Sequence, residues 1–67
     1  MNVKLTTTHG KEVLVNWDNV DYIRETTSHY SEVYTEVHFG KNNLDIRESV
    51  EQVGVILDSR NGVLGAA

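Results

Sequence analysis

From Met1 to Thr8 polar and apolar positions alternate: Val3, Leu5 and Thr7 fall on one side, Lys4, Thr6 and Thr8 on the other. This is the period-two pattern of a strand with one buried face. His9-Gly10-Lys11 interrupts it, and Glu12 to Asn16 resumes with Val13 and Val15, which predicts a hairpin. Asn16-Trp17-Asp18-Asn19 reads as a polar turn in which Asn and Asp bond their own backbone. Val20 to Thr26 follows as a strand with Val20, Tyr22 and Ile23 as its apolar part, and Thr26 to Ser31 as the longest loop. Glu32 to Phe39 alternates again, with Val33, Thr35, Val37 and Phe39 facing one way and Glu32, Tyr34, Glu36 and His38 the other. Gly40-Lys41-Asn42-Asn43 makes a second hairpin turn, after which Leu44 and Ile46 return to the core side.

Then the period changes. Ser49-Val50-Glu51-Gln52 fits the capping box, in which Ser caps the helix and Gln reaches back. Glu48 and Glu51 lie at the positive end of the helix dipole. Val50, Val53, Ile56 and Leu57 form a helical stripe, weakened by Gly54 and Val55. Arg60-Asn61-Gly62 supplies a basic last turn and a stop. The spacing therefore predicts strands at about 2–8, 11–16, 20–26, 32–39 and 43–48 and a helix at 49–58. Residues 1–58 form a single β-rich domain with a C-terminal helix, and 59–67 a loose tail. The fold class is mainly β (α+β): a small curled five-stranded antiparallel sheet or partly open barrel, closed on one side by the helix. The expected core is Val3, Leu5, Val13, Val15, Val20, Ile23, Val33, Val37, Phe39, Leu44, Ile46, Val50, Val53 and Leu57.

Size sharpens the picture. A chain of 67 residues buries only about 60% of the surface it exposes when unfolded. It has no Cys, so neither a disulfide nor a thiolate metal centre can staple it. Oligomerisation is the remaining remedy. The predicted strand 32–39 has an apolar face and a tyrosine-bearing one, with no Pro or Lys inside it. Strand addition through it or through strand 43–48, or packing of the Tyr30/Tyr34 face, predicts a homo-oligomer, with a dimer favoured because two-fold closure is commonest. No apolar run reaches the 18 residues of a membrane span, and no leader precedes Val3, from which a cytoplasmic protein is expected.

Charge weighs against a polyanion partner: the formal net charge is −4, and the six Lys and Arg are spread singly along the chain. Catalysis has little to build on, since no nucleophile motif, HExxH or Gly-rich phosphate loop occurs. His9, His29 and His38 lie in two predicted turns and on one strand, so no metal and no cofactor is expected. Two sets of residues remain. Tyr30, Tyr34, Trp17 and His38 are candidate partner anchors, because Tyr and Trp dominate interface energetics. Their plainer reading is cross-strand packing for the tyrosines and a cap on the core for Trp17. Arg24 and Arg47 are either cross-strand ion-pair partners or, in a ring of copies, an anion-reading pair.

The runs "VKLTTTHGKEVLVNWDNVDYIRET" and "TEVHFGKNNLDIRESVEQV" resemble the FlbD-type small bacterial proteins associated with flagella and swarming motility. The likeness covers roughly residues 3–53. It is carried by Lys4-Leu5-Thr6, Gly10-Lys11-Glu12 and Arg47-Glu48-Ser49-Val50-Glu51-Gln52-Val53. Trp17, His38, Phe39 and the long loop 27–32 depart from the family pattern. A looser likeness, through "VDYIRE" and "RESVEQV", is to LytTR-type DNA-binding domains. The first resemblance implies a non-enzymatic interaction module acting through homo-oligomer or protein-partner contacts. A small-anion or nucleotide-sequestering oligomer and a nucleic-acid-binding module stand as alternatives.

Overall fold

The computed structural model describes residues 1–66, with side chains through Ser59. Strands β1 (Asn2–Thr6), β2 (Glu12–Asn16), β3 (Tyr22–Thr27), β4 (Val33–Phe39) and β5 (Asn42–Ile46) are followed by helix α1 (Val50–Ala66), and a 3₁₀ turn, Trp17–Asn19, separates β2 from β3. The chain is mainly β with one C-terminal helix, as its periodicity indicates. The five strands do not form one sheet, however. β1 and β2 pair antiparallel as a two-stranded sheet, and β3, β4 and β5 form a separate antiparallel meander.

Among the described residues, the backbones of the two sheets join at a corner, while their inner faces share one core. Thr7 bridges Ile46, Arg47 N–H donates to Thr6 C=O at 2.9 Å, and Thr8 N–H to Asp45 C=O at 3.2 Å. The ladder stops there for two local reasons. The Thr6 N–H donates to the Glu48 carboxylate instead of a strand carbonyl. Thr7 N–H turns back to Lys11 C=O at 2.8 Å, while Thr7 Oγ1 accepts from Lys11 N–H. Gly10 closes this turn at φ +88°, a left-handed conformation that side chains resist, with the Arg47 guanidinium against it. The sheets are therefore open and two in number, in place of the single five-stranded sheet that the curled-sheet and partly open barrel expectations both require. Nor can β4 add a strand from another molecule, because it has a neighbour on each side.

Turn chemistry sets the remaining boundaries. Gly40, at φ 62°, and Lys41 are a two-residue hairpin loop of the II′ kind, so Asn42 and Asn43 belong to β5 instead of the turn. Between β3 and β4 the Ser28 hydroxyl accepts from the N–H groups of Tyr30 and Glu32, and Ser31 takes a left-handed φ of 62°. At the helix start the capping box forms as its spacing predicts: Gln52 N–H donates to Ser49 Oγ at 3.0 Å and Ser49 N–H to Gln52 Oε1 at 2.8 Å. Glu25 of β3 accepts the next free donor, Val50 N–H, at 3.2 Å. The backbone of α1 continues to Ala66, past the stop expected at Asn61-Gly62. The side chains of the expected tail, from Arg60 on, lie outside the described residues.

Val3, Leu5, Val37, Ile46 and Val53 are fully buried, with Val13, Val15, Trp17, Val20, Ile23, Phe39, Leu44, Ile56 and Leu57 packed half-buried around them. Two expected core residues are exposed. Val33 is 62% accessible because it pairs with Thr27 at the loop end of the β3–β4 hairpin. Val50 opens the helix, whose inward stripe begins one turn later at Val53. Among the described residues no helix is long and apolar enough to cross a membrane.

Candidate interaction surface

Antiparallel pairing of β3 with β4 sets Tyr22 opposite His38, Arg24 opposite Glu36 and Thr26 opposite Tyr34. Directly opposed residues share a face. All six therefore stand on the face turned away from Val37 and Ile46, and the side chains of Tyr22, Arg24, Glu36 and His38 lock together. Arg24 Nε donates to Glu36 Oε1 at 2.9 Å, and His38 Nε2 lies 3.0 Å from the same oxygen, a bond made by the Nε2–H tautomer. The Tyr22 and His38 rings stack with centroids 4.5 Å apart and planes 11° from parallel, an arrangement that contributes about 0.5–1.5 kcal/mol beyond area burial.

Glu36 is the hub. Its side chain is 16% accessible, and the hydrogen bond from Arg24, followed by that from His38, holds its carboxyl below the ordinary value of 4.5 against the opposing effect of partial burial. Arg24, with Glu36 bonded to it, has its pKa raised further. The Glu36 carboxylate is engaged from both sides. What the cluster presents outward is a half-exposed Tyr22 ring, 53% accessible, beside a guanidinium whose position is set by its hydrogen bond to Glu36.

Of the anchors expected from sequence, His38 and Tyr34 stand on this face. Tyr30 does not. The turn at Ser28–Ser31 delays the start of β4 to Val33, leaving Tyr30 in the loop and 86% accessible. Trp17 packs against the core from the 3₁₀ turn, which is the plainer of its two readings. Arg24 and Arg47 are not brought together. Arg24 pairs across the strand with Glu36, whereas Arg47 follows β5 and lies against the Gly10 turn. His9 and His29 occupy the two loops, and among the described residues no three His, Cys, Asp or Glu converge.

Tyr22 was absent from the expected site. Its signal was present: Tyr22, Arg24 and Thr26 alternate with Ile23, and period-two reading from Ile23 puts Tyr22 outward with Arg24. Grouping it with Val20 and Ile23 as apolar hid that. Compared with protein-family models, curated proteins and solved structures, the chain matches none of them.

Proposed function

We propose that this chain is a non-enzymatic interaction module, of the kind implied by its resemblance to the FlbD-type motility proteins, which acts through contacts with a protein partner and with copies of itself. The observation that supports this is the Tyr22–His38–Glu36–Arg24 cluster. Binding surfaces lose affinity when flexible side chains must be ordered on contact. Here the stack and the hydrogen bonds to Glu36 order Tyr22 and Arg24 in advance, and Tyr and Arg are the residue types that anchor interfaces.

The test is co-purification from cells that encode the chain, comparing the wild type with Tyr22→Ala and Arg24→Ala at unchanged far-UV circular dichroism. The reading expects a protein partner retained by the wild type and lost from both variants. An identical set of captured proteins in all three would sink it. A rise in melting temperature with a mono-, di- or cyclic nucleotide and no protein partner would replace it with the ligand-binding alternative, since a saturating specific ligand stabilises the folded state.

A further inference from the structure

Among the described residues, β2 has no strand on the side away from β1 and β3 none on the side away from β4, whereas the outer side of β5 is crossed by Thr6–Thr8 at Ile46. The β2 and β3 edges differ in how well they can pair with themselves. When an antiparallel pair is built on a two-fold axis, directly opposed residues share a face. The axis must therefore pass through one residue, which meets its own copy. On β3, an axis at Arg24 or at Glu25 sets like charges against each other. One at Ile23 opposes Asp21 with Glu25, and one at Thr26 leaves only residues 25–27 paired. Like charges directly opposite are destabilising.

On β2 one register matches throughout. With the axis at Leu14, Leu14 meets Leu14, Val13 meets Val15, and Glu12 meets Asn16. Moving the axis to Val13 sets Glu12 against Leu14; moving it to Val15 sets Leu14 against Asn16. Leu14 is 69% exposed, and it is the residue placed on the axis. Asn16 is also prepared for its role. Its Oδ1 is occupied by the Asp18 N–H at 3.2 Å, so its amide NH₂ is the group left to donate to Glu12 of a second copy. Beside β2 an open groove exposes half-buried Val13, Val15, Phe39 and Leu44, so core side chains reach the surface at this edge.

From this we infer that the chain forms a two-fold dimer through antiparallel pairing of β2 with β2 of a second copy, Leu14 facing Leu14, making a continuous four-stranded sheet. The inference rests on the self-association part of the reading above and assigns it a strand and a register. The occupant is a second copy because the strand matches itself in apolar pattern and sets no like charges opposite each other, its one acid, Glu12, being already paired with Lys4 and facing Asn16.

The test uses the absence of cysteine from the chain. Light scattering of the full chain at micromolar concentration should return twice 7.6 kDa. Under mild oxidation Leu14→Cys should convert to a covalent dimer, because residues opposed on the axis lie within disulfide reach. Glu12→Cys should not, since four residues of offset separate the two sites by roughly 13 Å along the strands. Leu14→Lys, which changes an exposed position, should lose the dimer while keeping the circular dichroism of the fold. A 7.6 kDa wild-type particle overturns the dimer and self-association together, leaving the Tyr22 surface to be judged by co-purification. An oligomer in which Leu14→Cys cross-links no faster than Glu12→Cys keeps self-association and overturns the β2 register. A monomer that takes up an added strand peptide at β2 also overturns it, in favour of a peptide-binding edge.

Discussion

The Glu48 carboxylate accepts the backbone N–H of Thr6 at 2.9 Å, joining residues 42 positions apart. Both backbone groups of Thr6 are thereby held by the segment after β5, since Arg47 N–H donates to its carbonyl. Glu48 thus adds a side-chain bond to the backbone bonds that join the two-stranded sheet to the three-stranded one, at the point where their ladders fail to merge. Glu48→Ala leaves a partly buried N–H without its acceptor and should destabilise the chain by about 1–3 kcal/mol, measured by urea denaturation. Glu48→Gln keeps an acceptor oxygen and should cost less. Equal losses would mean that the charge, and not the hydrogen bond, holds the corner.

Thr35 gives an opposite expectation. It is fully buried in the middle of β4, and its hydroxyl has no hydrogen-bond partner among the described residues. Thr35→Val removes a desolvated polar atom at nearly constant shape and favours the strand. It should raise stability by about 1 kcal/mol. A lower denaturation midpoint would show that the hydroxyl is satisfied in solution.

Glu36 sets an acid-side limit. Its folded pKa is depressed by Arg24 and then by His38, so its contribution is complete above the unfolded value, near 4.5. The contribution is lost as pH falls through the folded value. Glu36→Gln should therefore trail the wild type in melting temperature at neutral pH, with the gap closing below pH 4.5. A gap independent of pH would place the effect in packing alone.

Local signals were legible in the sequence, and distant ones were not. Strand periodicity placed Val3, Leu5, Val37 and Ile46 correctly because alternation is a property of a few consecutive residues. Tyr30 falls in the loop, as the reading of 26–31 expects, but it does not extend the Tyr34–His38 face, because the turn with left-handed Ser31 breaks the alternation before Val33. The way the two sheets meet depends on Glu48 reaching Thr6 and on Thr7 bridging Ile46. No period or motif within either segment encodes those meetings. The same limit hid the Tyr22–His38 stack, whose partners come from different strands.

The helix start offers the sharpest energetic test, because its two halves are reciprocal. Ser49 Oγ accepts from Gln52 N–H and Gln52 Oε1 accepts from Ser49 N–H. Either bond alone satisfies one of the donors that a helix leaves free at its start. Ser49→Ala should cost about 1 kcal/mol. Gln52→Ala should cost less, since the N–H it serves precedes the helix and is exposed to water. Because each bond helps to hold the other's geometry, the double variant should lose less than the sum of the two single losses, which a double-mutant cycle reads directly. Strict additivity would mean that the two bonds act independently. Glu25, which accepts the Val50 N–H from β3, would then be the contact that fixes where the helix begins.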